Sequence, residues 1–364
     1  MRDHLARLTA TVCALAVLTA GAPSAGACTA FLLKSQSGPV MAANFDWDVA
    51  AGMVVVNPRG LAKTALVSEG ASPVRWTSRY GSLTFNQYGR EFPIGGLNEA
   101  GLAMEVLWLD GTSYPEPGDR RSIGTLQWVQ YCLDSFRTVA DVVASASELA
   151  VGGQAPLHFL ACDPTGSCAV IEFLDGALAE RSERTLPLPV LTNDTYAESL
   201  DYLNRTLGYG GEPVTPTGSG SLARFARAAN GTHAARMKPD ADVAAAAFAI
   251  LDDVAQPGRT QWSAVYDLQH GRVSFRTAGN PKLRTIDLSG LDLDCTAEPL
   301  VLDLATDGQG DVSSALVPYS TDANRKLIAA GFGAAKVEAP TPQEMERLAA
   351  YPDGLVCTFA PQAD

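Results

Sequence analysis

Apolar and polar positions along this chain fall into short blocks whose period changes from strand-like to helix-like and back. The run Cys28-Thr-Ala-Phe-Leu-Leu-Lys34 suits a buried strand, and Val40-Met-Ala-Ala-Asn44 reads as its return, joined through the turn-forming Ser35-Gln-Ser-Gly-Pro39. This hairpin brings Asn44 and Asp46 back beside Cys28. Further strands are expected at 53–56, 81–87, 102–109, 157–161, 169–173 and 188–192, with a second hairpin pairing 262–267 and 272–276 around Leu268-Gln-His-Gly271. Helical spacing occupies 123–135, 139–148, 222–229 and 242–254. Thr341-Pro342-Gln343-Glu344 combines a capping threonine, a first-turn proline and a box-closing glutamate, so a helix should run from there through Ala350. Strands come in runs and helices in pairs, which predicts an α+β layered fold rather than a doubly wound one. The Gly-, Pro-, Thr- and Ser-rich stretch 208–221 is the clearest loop.

Residues 1–27 have a different character. Arg2 and Arg7 precede the apolar stretch 10–20, too short to span a bilayer, and Ala25-Gly26-Ala27 is an A-x-A cleavage site. A secretory signal peptide, removed on export, is the expectation. The mature chain, 28–364, would then begin with Cys28, placing a thiol of pKa about 8.5 beside an α-amine of about 7.7–8.0. Nucleophile and general base meet in one residue, as in an N-terminal-nucleophile hydrolase. Two other readings stay open: a lipid-anchored lipoprotein, disfavoured by Ala25 where a large aliphatic residue is usual, and a structural half-cystine.

Hydrophobic residues make up 46% of the chain and charged residues 18%, the balance of a globular protein. Formal net charge is −13; the leader carries +1 (Arg2 and Arg7 against Asp3), leaving −14 for the mature chain. Such acidity argues against nucleic acid and anionic membrane surfaces as partners. No segment after the leader has an apolar run long enough for membrane insertion. Of seven cysteines, Cys13 lies in the leader. Cys162 and Cys168 flank a turn and could staple a hairpin, and Cys295 and Cys357 could pair, with connectivity left open by sequence. Cys132 sits in a helical pattern and reads as a buried apolar residue. The mature histidines, His158, His233 and His270, form no His-x-x-x-His pair, and no Cys-x-x-Cys is present, so neither a metal nor another cofactor is expected.

Cys28-Thr29, Asn44-Phe45-Asp46-Trp47, Asn98-Glu99-Ala100-Gly101-Leu102, Leu191-Thr192-Asn193, Arg224-Phe225 and Gln261-Trp262 leading to Val265-Tyr266-Asp267 occur in that order, with Arg276-Thr277 after them. Together they resemble the choloylglycine hydrolase family of linear amide C–N hydrolases, which includes penicillin V acylases and bile salt hydrolases. The resemblance runs to about Cys295; 296–364 is a less recognisable extension of what is otherwise a single domain. It implies the four-layer αββα sandwich of N-terminal-nucleophile hydrolases, a small acyl-amide substrate and a homo-oligomer. It also implies roles: Cys28 attacks the amide carbonyl with its α-amine as base, Asp46 holds that amine, and Asn193 donates its side-chain amide to the oxyanion. Arg224 stabilises the thiolate, and Trp108 contributes a backbone N–H to the oxyanion hole. Taken singly, Asp46 and Asn193 would be turn residues and Arg224 a solvated one. Two departures stand out: Ala43 occupies a place where many members have arginine, and Trp108 one where bile salt hydrolases have asparagine. Lys34, Arg59 and Arg227 are the candidates to replace the missing cation. The expected activity is therefore exported, secreted or periplasmic hydrolysis of N-acyl amides such as penicillin V, N-acyl-homoserine lactones or, less favoured, conjugated bile acids. An inactive relative that only binds its ligand is the alternative.

Overall fold

The computed structural model describes residues 28–206, 218–238, 242–333 and 339–358. The expected leader and most of the expected 208–221 loop lie outside the described residues. Two large sheets dominate. The first pairs Thr29–Ser35 with Gly38–Asp46 and continues through Thr260–Asp267, Arg272–Thr277 and Arg284–Asp287, flanked by the short strands Val190–Leu191 and Gly310–Asp311. The second has nine antiparallel strands. Its centre runs Cys168–Leu174, Leu157–Cys162, Ala103–Trp108, Pro93–Asn98, Ser82–Asn86 and Met53–Asn57.

Helices cover both outer faces. α1 (Thr125–Ser135) and α2 (Val139–Glu148) pack on the nine-stranded sheet. Behind them α3 (Tyr196–Asn204), α4 (Ser221–Arg236) and α5 (Val243–Val254) form a group on the other sheet. Apolar side chains fill the space between the sheets, where the Phe85 ring meets Tyr266 and Phe275 edge-on at 6.1 and 5.6 Å. A separate core lies between the nine-stranded sheet and α1–α2. This is the αββα sandwich anticipated from the sequence. No helix among the described residues is long and apolar enough to cross a membrane.

The expected first hairpin is present, with Thr29 opposite Asn44 and Ser35 opposite Gly38, so its strands run into the expected 35–39 turn and leave a tighter one. Gly38 turns at φ +111°, a conformation a side chain resists. Two helical expectations shift. Ser122–Gly124 is not helix but a strand parallel to Ala150–Gly152, because its backbone groups find ladder partners there; α1 starts at Thr125. The 222–229 helix starts one residue earlier and continues to Arg236. Disulfides join Cys162 to Cys168 across a hairpin and Cys295 to Cys357. Cys132 is buried and free.

The C-terminal segment is docked on this body. Leu300–Asp303 extends the nine-stranded sheet, then α6 (Thr321–Gly333) and α7 (Pro342–Ala350) pack on each other. Thr341 and Glu344 make the expected capping box of α7. Buried Asn324 of α6 accepts from Arg90 N at 2.8 Å and donates to Ala349 O at 3.1 Å.

Candidate active site

Cys28 stands at the open end of the first strand, 5% exposed, its thiol aimed at Asp46 O at 4.0 Å. Because Thr29 opposes Asn44, the ladder continued one step brings Cys28 alongside Phe45. Cys28 thus ends the ladder next to the stretch of the neighbouring strand that carries the Asp46 carboxyl. That carboxyl is fully buried; Thr260 Oγ1 donates to Oδ1 and Gln256 Nε2 donates to Oδ2 at 3.1 Å. Thr260 faces Asp46 directly, next to the ladder irregularity between Thr260 and Trp262. Burial pushes the carboxyl up to about 6, against the opposing pull of Thr260, Arg224, Gln256 and Arg259.

Arg224, on α4, is 1% exposed and not the solvated residue its helical spacing suggested in isolation. Its Nη1 donates to Cys28 O and Thr29 Oγ1, both at 2.7 Å, and its Nη2 donates to Asn193 Oδ1 at 2.7 Å. The planar guanidinium thus ties the Cys28 carbonyl to the side chain of Asn193. Asn193 in turn donates from Nδ2 to Trp108 O at 2.8 Å. Leu109 N donates to Pro156 O, so ladder alternation turns the N–H and C=O of Trp108 toward the opposite edge, the one Asn193 occupies.

Burial dominates the thiol and pushes Cys28 up to about 12, with the Asp46 charge adding to the rise. The hydrogen bond to Asp46 O and the Arg224 charge oppose it. In the unprocessed chain the Cys28 nitrogen is a peptide nitrogen, with no charge to help. The structure brings together all five residues expected at the site: Cys28, Asp46, Asn193, Arg224 and Trp108. Of the proposed substitute cations, Arg227 lies near enough for its charge to act on Arg224, while Lys34 and Arg59 are engaged elsewhere. Lys34 packs at the Gly166 turn, Arg59 pairs with Glu99 at 2.9 Å, and Arg227 donates to Asp253 O beside α5. Ala43 is buried between Ala30 and Ala264 of the neighbouring strands, and Arg224 is the cation that bears on the thiol.

Several supporting residues were not anticipated. Thr260 and Gln256, the partners of the Asp46 carboxyl, are two of them. His158, fully buried, bridges Glu172 and the carbonyl of Thr192, while Glu172 also accepts from Tyr196 N at 2.9 Å; this fixes the chain on both sides of Asn193. Arg259 pairs with Asp48 at 3.2 Å. Glu105 lies in the strand facing the thiol's side of the sandwich, its carboxyl receiving the Tyr266 hydroxyl at 2.5 Å. Burial raises this acid to about 8, Tyr266 partly offsetting it. Gly95 opposes Glu105, and a Cβ there would lie 2.2 Å from Oε1, so the glycine makes room for the carboxyl. Nothing in the local sequence marks these partners.

Cys28 opens into an apolar cavity of about 220 Å³ walled by Phe45, Trp47, Tyr88, Trp108, Leu126 and Phe332 among others. The rings of Trp47 and Trp108 lie 5.6 Å apart, and Trp108 Nε1 donates to Asp110 at 2.6 Å. An engineered apolar cavity of about 150 Å³ takes benzene, so this one suits an aromatic ring with a short linker or an alkyl chain.

Residues 28–301 match the model of the linear amide C–N hydrolases, choloylglycine hydrolase family. A penicillin V acylase of Pectobacterium atrosepticum is 27% identical, over 79% of this chain and 88% of that protein. The structure of penicillin V acylase from Agrobacterium tumefaciens is similar with a TM-score of 0.70 and 27% identity, covering 80% of this chain and 98% of that one. A mutant of conjugated bile acid hydrolase from Clostridium perfringens shares the fold, with a TM-score of 0.63 at 18% identity over 79% and 99% of the two chains.

Proposed function

Since the chain belongs to the linear amide C–N hydrolases of the choloylglycine hydrolase family, we propose that it cleaves an N-acyl amide with Cys28 as an N-terminal nucleophile, after export and removal of residues 1–27. The observation that carries this reading is the hydrogen-bonded chain Cys28 O, Arg224, Asn193, Trp108 O at the mouth of an apolar cavity. Removing the leader turns the Cys28 nitrogen into an amine beside Asp46 and Sγ. A positive charge there lowers the thiol and carboxyl pKa values alike. The amine takes the thiol proton as sulfur bonds to the amide carbon. The resulting oxyanion receives the second Asn193 Nδ2–H and the Trp108 N–H. Collapse breaks the C–N bond, and the ammonium returns its proton to the departing nitrogen. Water, deprotonated by the same amine, then splits the thioester to release the acid and restore the thiol.

The cavity favours a single ring or an alkyl acyl arm, as in phenoxyacetyl β-lactams, fatty-acyl amides or N-acyl-homoserine lactones. The Trp108 ring, which lines the cavity, narrows the space for a four-ring steroid and places conjugated bile acids last. Export implies action in the periplasm or outside the cell. A hydrolysis screen of acyl amides with processed wild type and Cys28→Ser tests the reading: turnover is expected only from wild type, and equal rates would refute it. A ligand-binding relative without turnover is the second reading, favoured by Ala43 and by the thiol's raised pKa in the unprocessed chain. Iodoacetamide separates the two. A processed Cys28 that alkylates faster than free cysteine near pH 7 supports the enzyme, and one that stays inert supports the binder.

A further inference from the structure

The family match ends at residue 301, yet the wall of the cavity does not. Phe332 of α6 and Pro340, just before α7, both line the space into which Cys28 opens. The Phe332 ring lies 4.9 Å from that of Tyr88, which lines the same space. One aromatic ring thus links the C-terminal helices to the nucleophile's surroundings. The contact is fixed on both sides. At Gly331 a Cβ would lie 2.5 Å from Gln87 O, so α6 sits directly on the backbone next to Tyr88. Gln87 Nε2 holds Val49 O and Ala51 O at 2.9 and 2.8 Å, tying the Tyr88 loop to the loop after Trp47. Asn324 anchors α6 to Arg90, whose guanidinium lies 5.0 Å over the Tyr319 ring. At the far end the Cys295–Cys357 disulfide and Thr358 N to Gly60 O, at 2.7 Å, fasten the arm to the body.

A second cavity of about 580 Å³ adjoins the first, sharing Gln154 and Pro340 with it, and is lined in part by Glu344, Arg347 and Leu348 of α7. We propose that this C-terminal arm is a specificity element and that Phe332 is the wall that limits the acyl group. A longer chain has the second cavity to enter past Gln154 and Pro340, the residues the two share. The inference rests on the acyl-amide reading above and deepens it: substrate range is set by a segment outside the matched family region.

The test compares wild type, Phe332→Ala, Phe332→Leu and Phe332→Trp on amides of one chromogenic amine with linear acyl groups from butyryl to dodecanoyl. Phe332→Ala should raise the dodecanoyl-to-butyryl ratio of kcat/KM by about tenfold, the scale of discrimination by small contacts in apolar pockets. Phe332→Trp should lower it. Phe332→Leu keeps apolar bulk and gives an intermediate ratio if the alanine variant loosens the arm. The matching free acids, titrated by tryptophan fluorescence, measure the same wall without chemistry. Hydrolysis with an unchanged ratio in every variant overturns the inference and leaves the amidase reading intact. No hydrolysis at all, with acid binding still shifting toward longer chains in Phe332→Ala, overturns the amidase reading and supports the wall. No hydrolysis and no shift overturns both.

Discussion

Asn193 is held at both ends of its amide, Oδ1 by Arg224 and Nδ2 by Trp108 O, which leaves one N–H in a fixed direction. Loss of one preorganised oxyanion donor costs about 10²–10³ in kcat. Asn193→Ala should show that loss with KM nearly unchanged; a purely structural asparagine would lower the melting temperature and spare kcat. Glu105 makes a different prediction. Its pKa rises from an ordinary 4.5 to about 8 on folding, so the folded chain holds a proton the unfolded chain releases. Its contribution to stability therefore falls as pH rises from about 4.5 to about 8 and is constant above. Glu105→Gln has no proton to lose and should gain on wild type through that window, melting several degrees higher at pH 9 while matching it near pH 4.5. A constant difference at all pH values would contradict this. Cys28, Asp46, Asn193 and Arg224 were legible because each sits in a short recognisable motif. Thr260, Gln256 and Glu105 were not, because strand pairings distant in sequence bring them to the site.

The hairpins carrying Cys28 and Trp262 were readable as elements, since each joins two apolar runs across strong turn chemistry. Partly exposed strands such as Ala177–Ser182 were not, because polar residues break the alternation. The apolar pattern does not mark α3, although Thr195 and Glu198 form a capping box like that of Thr341 and Glu344. Its short helix follows immediately on the Asn193 turn, where the turn signal dominates. The Cys295–Cys357 bridge closes a loop of 62 residues, worth about 4 kcal/mol in chain-entropy terms. Replacing both cysteines with serine should speed hydrogen exchange in α6 and α7 and leave the two sheets protected. Uniform protection across the arm would show that Asn324 and the Phe332 contact hold it unaided.

At the scale of the whole molecule, the two sheets place the open end of one strand, a buried carboxylate, an arginine and an apolar cavity around a single residue. The acidic surface, −13 over the full chain, gives no reason to expect polyanionic partners. In the proposed mechanism, chemistry depends on one covalent change: the peptide nitrogen of Cys28 must become an amine near Asp46. Burial holds the thiol near 12 until that happens, so the unprocessed protein is expected to be inert. The most direct measurement is mass spectrometry of the active exported protein, acid-quenched during turnover of an acyl amide. The account predicts an N-terminal peptide that begins at Cys28 and carries the acyl group on sulfur. A fully active protein that still begins at Met1, bears a fatty acyl group on the Cys28 nitrogen, or is acylated on another residue would contradict it.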